Sequence, residues 1–506
     1  MSTTSLESPD ALLRVSIWPR YPSLYEINTW AWLNDLSQKY RKPINLSTIP
    51  PNEWEAIAAY GFDAIWLMGV WERSPAGIAI ANRNDDLLHD FLRALPDFHT
   101  EDNVGSPYCV RRYRVDPHLG GPEGLAAARR KLAQHGLKLI LDFVPNHVAP
   151  DHPWVAGHPE YFIHGSDEEA RNDSGSYVEV CGTVFACGRD PYFPAWPDVL
   201  QLNAFEPGLR QAAIDTLSDI ADQSDGVRCD MAMLLLNSIF ERTWGGRAGP
   251  QPASEYWIEV ISGIKRRFPN FLFIAEAYWD LEWQLQQQGF DFCYDKRLYD
   301  RLEHANAESL RLHLNADLNY QARLVRFIEN HDEPRAAATF SPAKERAAAV
   351  TAATLPGMKL FHEGQFGGRK VKVPVFLGRR PSESPDRSLQ EFYVRILEVV
   401  AHPVFRSGQW EICERTGWPD NTSFENLLVW CWQNEERFLV AVNFSDSSLQ
   451  ALIRIPWADI SGMQWNLLDR LSGAIYQRDG NEMASQGLFV DLAPWNFHLF
   501  QWISRA

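Results

Sequence analysis

The sequence predicts a (β/α)8 TIM barrel with a small domain inserted after the third strand and an antiparallel β-sandwich at the C-terminus. Three observations support this fold class. Short apolar runs alternate with amphipathic helical windows between residues 25 and 403, an interval of about 55 residues interrupts the alternation, and alternating β-type sequence follows residue 405. The 506 residues are enough for a large barrel and at least one further domain.

Eight runs have the apolar composition of buried parallel strands. They are Leu24–Asn28, Asp63–Met68, Lys138–Val144, Gly226–Asp230, Phe271–Ala275, Phe290–Tyr294, Leu324–Ile328 and Met358–His362. The helical windows are Pro51–Tyr60, Gly124–His135, Pro207–Asp222, Ser254–Phe268, Tyr299–Leu312, Ala343–Leu355 and Ser388–Val400. Eight such units close into a barrel whose active site lies at the carboxyl ends of the strands.

Two regions depart from this alternation. Residues 148–203 are rich in Pro, His, Gly, Asp and aromatic residues, and they are too many for an ordinary loop, so we expect an inserted domain over the barrel mouth. Past residue 405, the segments Leu427–Trp432, Phe438–Phe444, Ala451–Ile455 and Leu488–Leu492 predict a β-sandwich. The predicted domains are a barrel at 1–147 and 204–403, an inserted domain at 148–203 and a sandwich at 404–506.

Charge and cysteine content restrict the partners and the cellular setting. The net charge of −17 disfavours nucleic acid, because binding phosphates requires a basic surface. No stretch approaches a membrane span, and Met1–Asp10 lacks the basic region and apolar run of a signal peptide. The seven cysteines predict free thiols in a reducing cytoplasm, with a local Cys181–Cys187 disulfide as the alternative. The oligomeric state stays open.

Four segments place acids, bases or histidines directly after apolar runs. They are Asp142-Phe-Val-Pro-Asn146-His147, Gly226-Val-Arg228-Cys-Asp230, Phe273-Ile-Ala-Glu276-Ala and Phe327-Ile-Glu-Asn330-His331-Asp332. A single acid at a strand end is more often a helix cap or half of a surface ion pair. Four such segments at four strand ends of one barrel instead indicate a catalytic face.

Two of these acids suit the cleavage of a bond between sugars. That reaction requires a proton donor for the leaving oxygen and a carboxylate for the oxocarbenium-like centre. Arg228 lies two residues before Asp230, so both side chains point to the same side of the strand and the cation favours an ionised, nucleophilic Asp230. Glu276 has apolar sequence neighbours, and burial would raise its pKa towards that of a general acid.

In this order, the four segments resemble the signature regions of the α-amylase family (glycoside hydrolase family 13), and the resemblance covers nearly the whole chain. Trp196–Asn203 resembles the further signature at the end of that family's inserted domain. Ser106-Pro-Tyr108 is similar to the segment whose tyrosine stacks on the sugar at the cleavage site. The family match implies a retaining enzyme that acts on α-glucosidic bonds.

The resemblance also implies a role for each residue. Asp230 is expected to be the nucleophile, Glu276 the acid and then the base, and Asp332 the carboxylate that binds ring hydroxyls. The predicted substrate-binding residues are Tyr108 as the platform under the ring, His147 and His331 as donors to hydroxyls, Arg228 as the partner that orients Asp230, and Asp142 at the head of the first segment. From its place just after the Glu276 strand, Trp279 is expected to contact the sugar beyond the scissile bond.

Departures from the family pattern restrict the expected cofactors. Many members have a Lys-His pair after the nucleophile that serves the leaving-group side and, through a backbone carbonyl, a structural calcium; Met233-Leu234 stands there in this chain. Asn146 alone is poor evidence for a calcium site, which uses six to eight oxygen ligands. We therefore expect no required cofactor and no metal ligand, and we doubt a structural calcium.

The sequence leaves several activities open. The first hypothesis is a retaining α-glycosidase or transglycosylase acting on α-glucans or short α-glucosides. A glucanotransferase or a disaccharide-isomerising enzyme similar to trehalose synthase is the alternative, because the same carboxylates serve water and sugar acceptors. A catalytically silent sugar-binding protein is a third reading, although such proteins typically lack one of the carboxylates that this chain retains.

Overall fold

A computed structural model describes residues 18–504, so the prediction for Met1–Asp10 lies outside the described residues. Eight parallel strands close into a barrel, in which each strand pairs with its sequence neighbours and the first pairs with the eighth. The first to eighth barrel strands are Ser23–Asn28, Ala64–Met68, Lys138–Phe143, Gly226–Cys229, Leu272–Ala275, Phe292–Tyr294, Leu324–Arg326 and Met358–His362. The predicted barrel is confirmed, strand by strand.

Helices surround the barrel, and their apolar faces pack against the strands. The main ones are Thr29–Tyr40, Pro51–Ala58, Gly121–Gln134, Pro207–Gln223, Tyr256–Arg267, Lys296–His304, Ala307–Leu314, Pro342–Thr354 and Arg387–Val400. Further helices are Asn237–Trp244, Glu282–Gln287, Leu318–Gln321, Ala336–Thr339 and Pro403–Ser407. The single helix expected at Tyr299–Leu312 is instead two helices, because the Asn306 side chain caps a new helix by accepting from the Ser309 amide at 3.0 Å.

A four-stranded antiparallel sheet forms the core of the insertion after the third barrel strand. Its strands, in spatial order, are His147–Val148, Trp196–Gln201, Thr183–Gly188 and Tyr177–Val180. Helices Trp154–Gly157 and Asp167–Asn172 belong to the same insertion. This confirms an inserted small domain at the predicted place.

A second excursion, which the sequence did not predict, lies between the second and third barrel strands. It contains an antiparallel pair, Trp71–Arg73 with Val110–Val115, and the helices Pro75–Ala81 and Asp85–Ala94. Helix signals were present, since the Asn84 side chain caps the second helix through the amides of Asp86 and Leu87. The excursion forms part of the rim of the barrel mouth.

The C-terminal region consists of two antiparallel sheets around a shared apolar core. One sheet has the spatial order Gln409–Ile412, Leu427–Gln433, Arg437–Asn443, Phe497–Ser504, Gln464–Asp469 and Ile475–Asp479, and the other has Arg415–Thr416, Leu449–Ile453 and Leu488–Leu492. Helix Gly480–Gln486 connects two of the strands. The β-sandwich is confirmed, while the exact boundaries at 147/148, 203/204 and 403/404 stay predictions.

Two further features concern the cellular setting. Within residues 18–504, no helix is long and apolar enough to cross a membrane. All seven cysteines are free, so the Cys181–Cys187 disulfide does not form.

Candidate active site

Arg228 joins the two candidate catalytic acids at the mouth of the barrel. Its Nη1 donates to Asp230 Oδ1 at 2.6 Å, and its Nη2 lies 2.7 Å from Glu276 Oε2. Arg228 is on the fourth strand, Asp230 directly follows it, and Glu276 follows the neighbouring fifth strand, so the parallel register places all three at one edge. The side chains of Asp230 and Glu276 are only 6% and 5% exposed.

Asp332 completes the group from the loop after the seventh strand. Its Oδ2 lies 3.8 Å from Arg228 Nη2 and 2.8 Å from His331 Nε2. Its side chain is 38% exposed, so this carboxylate faces the open mouth whereas Asp230 and Glu276 lie deeper. Three carboxylates that are far apart in the sequence therefore share one cation.

His331 connects the first barrel strand to the candidate sugar platform. Its Nδ1 pairs with the buried Glu26 of the first strand, and its Nε2 lies 2.5 Å from the Tyr108 hydroxyl. The Tyr108 ring also lies under the Arg228 guanidinium, 5.0 Å from its Cζ. Tyr108 is thus fixed at its hydroxyl and by its ring face.

Asp142 and His147 lie beside these residues, in more enclosed positions. Both carboxylate oxygens of Asp142 are occupied, since Oδ1 accepts from Trp66 Nε1 at 3.1 Å and Oδ2 from the Gly69 amide at 2.8 Å. Asp142 is completely buried, and His147 is 4% exposed with its ring 5.3 Å from that of Trp196. The structure brings the predicted residues of all four segments to one face of the barrel.

Burial and neighbouring charges separate the proton affinities of the acids. Burial raises the pKa of Glu276 to about 7, Arg228 opposes this rise, and Asp230 and Asp332 add to it. Burial also raises the pKa of Asp230 from its usual value, and the Arg228 ion pair only partly offsets it. The cation beside Asp230 is visible in the sequence, whereas the desolvation that outweighs it depends on the fold.

His331 and His147 differ in charge. Burial opposes protonation of His331, but Asp332 and Glu26 together raise its pKa to about 10. Burial lowers the pKa of His147 to about 4, although a hydrogen bond with the Tyr108 main chain opposes this, so the ring is neutral near pH 7. Burial likewise opposes ionisation of Asp332, yet His331 and then Arg228 hold the pKa of that carboxyl well below its usual range.

Glu276 has two further partners that the sequence analysis missed. The Met231 amide donates to Oε2 at 2.6 Å, and the Tyr278 hydroxyl donates to Oε1 at 2.8 Å. Met231 has a φ of +43°, a left-handed turn directly after Asp230 that aims its amide at Glu276. Glu26 was also missed, because it lies inside an apolar run that gives no local signal.

The half-buried Trp279 and aromatic side chains of the inserted domain lie on the Glu276 side of the mouth. Trp279 packs edge-on against Tyr192 of the inserted domain, with ring centroids 4.8 Å apart. Tyr192 is 50% exposed and the adjacent Phe193 is 66% exposed, although both amides are fixed by the buried Asp190 carboxylate. We call Trp279, Tyr192 and Phe193 the aromatic shelf; sequence reasoning had singled out only Trp279.

Comparison with known proteins agrees with this geometry. A family model described as the α-amylase catalytic domain matches residues 55–177. Over these residues the chain resembles the α-amylase family. Among solved structures, a maltogenic α-amylase from Thermotoga neapolitana has a TM-score of 0.67 at 17% identity, covering 96% of this chain and 99% of that one, which supports the fold.

The curated relatives that this chain resembles have more than one activity. An α-amylase from Haloarcula japonica is 27% identical over 66% of this chain and 42% of its own length. An α-1,4-glucan:maltose-1-phosphate maltosyltransferase from Bifidobacterium longum is 25% identical over 44% of this chain and 25% of its own length. The chain thus spans less than half the length of these two relatives.

The calcium site of many α-amylase-family members does not fit the residues found here. The Asn146 amide oxygen accepts from Gln201 Nε2 at 2.9 Å, and the Asn146 backbone carbonyl accepts from the same nitrogen at 3.0 Å. Met233 and Leu234, which replace the Lys-His pair, are buried apolar residues. Across residues 18–504 no cluster of three or more His, Cys, Asp or Glu side chains suits a metal ion. The Asn146 oxygen that would be a calcium ligand is therefore bonded to the neutral amide of Gln201.

Proposed function

We propose that this chain is a retaining α-glucoside hydrolase or transglycosylase that acts on α-glucans or short α-glucosides. The observation that carries the proposal is the Arg228 guanidinium, which contacts both Asp230 and Glu276 and lies near Asp332. A guanidinium that touches two carboxylates keeps them close, as in retaining enzymes, where the carboxyl groups are about 5 Å apart. An inverting enzyme needs a wider gap for its water.

The first step of the proposed reaction uses the two acids in opposite protonation states. Glu276, whose pKa of about 7 allows it to carry a proton near neutral pH, donates that proton to the glycosidic oxygen. The ionised Asp230 bonds to the anomeric carbon as the bond to the leaving sugar breaks. Glu276 then takes a proton from water or a sugar hydroxyl, which attacks the same carbon and releases Asp230.

The remaining residues bind and orient the ring. Asp332 and the cationic His331 would bind its hydroxyls with charge-assisted hydrogen bonds, and the Tyr108 ring would support its apolar face. His147, neutral and buried beside Tyr108, would donate one further hydrogen bond. We propose Asp142 as a positioning residue, because both its oxygens are already bound within the protein.

The aromatic shelf supports transfer to a sugar acceptor as a second outcome. It lies on the Glu276 side, where the leaving group departs and the acceptor enters. The exposed rings of Tyr192 and Phe193 and the half-buried ring of Trp279 would offer stacking surfaces for sugar faces. The substrate partner would be an α-glucan or oligosaccharide. The seven free cysteines support a reducing compartment such as the cytoplasm.

Product separation after incubation with maltose, maltotriose, sucrose and trehalose tests the proposal. Hydrolysis yields smaller sugars alone, disproportionation yields longer ones as well, and isomerisation changes the linkage at constant size.

Because an amide pair replaces the calcium ligand, adding a chelator is expected to change the rates by less than about twofold and Tm by less than about 3 °C. Loss of activity with the chelator, restored by Ca²⁺, would contradict the metal-free site.

Truncating the aromatic shelf is expected to weaken the use of oligosaccharide leaving groups and acceptors. Phe193→Ala and Trp279→Ala should each raise the KM for maltotriose about three- to thirtyfold, as expected for the loss of one stacking contact. Both should act much less on the KM for α-glucosyl fluoride, which has no second sugar. Leu312→Ala, at an exposed leucine on an outer helix, is the matched control and should change neither value. Equal effects on both substrates would argue against the shelf as a sugar contact.

A further inference from the structure

A basic segment crosses the barrel mouth on the side opposite the aromatic shelf. We call residues 369–380, which follow the eighth barrel strand, the donor-side strap. The Lys372 ammonium of this strap donates to the main-chain carbonyl of Asp332. The strap therefore lies directly against the residue proposed to bind the hydroxyls of the reacting ring.

The strap is tied to the rim at its centre. The Val104 amide donates to the Phe376 carbonyl at 2.9 Å, and the Gly378 amide donates to the Asp102 carbonyl at 2.8 Å. Between these two bonds, Leu377 is completely buried in an apolar cluster of the second-strand excursion. Breaking these contacts would expose apolar surface and backbone groups, so the strap is a fixed part of the rim.

Ion pairs fix the end of the strap as well. Arg379 Nη2 donates to Asp102 Oδ2 at 2.7 Å, and Arg380 Nε donates to Asp35 Oδ2 at 2.8 Å. Arg380 also pairs with Glu363, and its side chain is only 7% exposed. These contacts come from the second-strand excursion, the first helix and the eighth strand end, so three elements hold the same segment.

The space behind the strap is too small for a sugar ring. A cavity of about 30 Å³ lies between the strap and the loops after the first and seventh strands, and it is lined by Asn28, Asn330, His331, Arg335, Lys372 and Arg380, among others. A water requires about 10–15 Å³, whereas a cavity that accepts a benzene ring measures about 150 Å³. The cavity can hold a few waters and no hexose.

We propose that the donor-side strap ends the donor side of the site after one ring, so that the chain takes the terminal α-glucosyl unit from the non-reducing end of its substrate. This inference rests on the proposed function. A terminal ring has a free hydroxyl where an internal ring continues the chain, and the Lys372 ammonium, which lies beside Asp332, would donate to that oxygen. The bond to C1 of this ring breaks, C1 bonds to Asp230, and the leaving oxygen takes the Glu276 proton.

Three substrates separate this inference from the proposed function. p-Nitrophenyl α-glucoside has one donor ring and reports the catalytic group alone. Maltoheptaose is compared with maltoheptaose whose terminal ring is blocked at the 4 and 6 hydroxyls. We expect turnover of the glucoside, stepwise loss of single glucosyl units from free maltoheptaose, and at least about 100-fold slower reaction of the blocked form. Equal rates on the two heptaoses, or maltosyl and longer donor products, would overturn the strap inference while glucoside turnover sustains the proposed function. No turnover of any of the three would overturn both.

Lys372→Ala tests the residue itself, with Lys370→Ala as the matched control. Lys370 is an exposed lysine two residues away, and its side chain is not among the residues that line the cavity. Lys372→Ala should raise KM for free maltoheptaose by about threefold or more, because the hydrogen bond to the terminal hydroxyl is lost. It should also reduce the discrimination against the blocked form about tenfold, because the side chain that restricts the donor side is removed. Lys370→Ala should change neither. Identical behaviour of the two variants would remove Lys372 from the proposed specificity role.

Discussion

Replacing Asp230 with Asn is expected to lower kcat/KM on α-glucosides by at least about 10⁴-fold, because the amide cannot form the glycosyl ester. The fold should persist, since Asn keeps the shape of the side chain and an oxygen that accepts from Arg228 Nη1. Rates on p-nitrophenyl α-glucoside measure the loss, and thermal unfolding measures the stability. We expect Tm to stay within about 5 °C of the wild type.

Asp222→Asn is the matched control for the Asp230 variant. Asp222 carries the same side chain in an exposed pair with Arg267, 3.2 Å apart, and surface pairs of this kind contribute little to stability. Its removal should leave both rate and Tm nearly unchanged.

A second measurement follows the covalent step: a fluorinated glucosyl fluoride should add one sugar mass to the wild-type protein at Asp230 and none to the Asp230→Asn variant. Retained turnover, or labelling at another residue, would show that Asp230 is not the nucleophile.

Local sequence signals were sufficient for the parts of the site that lie at strand ends. Arg228 and Asp230 alternate along one strand, so their shared side follows from strand geometry. Glu276 and Asp332 each follow an apolar run, and a parallel barrel brings such ends together. The positions of the carboxylates therefore depend on the strand order, which the alternation of strand and helix already indicates.

Residues whose role depends on distant partners could not be found in this way. Glu26 lies within the apolar first strand, and its partner His331 is 305 positions away. Tyr192 and Phe193 lie in an irregular part of the inserted domain, where no periodicity predicts which rings stay exposed. Desolvation is equally non-local, which is why the sequence indicated the ion pair of Asp230 but underweighted the rise in its pKa.

Replacing Glu276 with Gln is expected to separate the substrates by leaving group. With maltotriose, whose leaving sugar needs a proton, kcat/KM should fall at least about 10³-fold, since glutamine cannot donate one. With α-glucosyl fluoride, whose leaving group departs without a proton, the first step should slow far less. Steady-state and burst kinetics on the two substrates measure the difference. A similar loss on both would mean that Glu276 acts on something other than the leaving oxygen.

The pH profile should carry the same signature of Glu276. Burial raises its pKa to about 7, so the protonated form that the first step needs is lost as the pH rises through that value. In the wild type, kcat/KM for maltotriose should therefore fall on the alkaline side with a midpoint near pH 7. This apparent pKa belongs to the coupled carboxylates Asp230, Glu276 and Asp332 together. The amide of the Gln variant does not titrate, so its alkaline limb should vanish while the acid limb, which reports protonation of Asp230, persists. An unchanged alkaline limb in the variant would assign the proton to another group, and Glu276 would then be a ligand of Arg228 and not the acid.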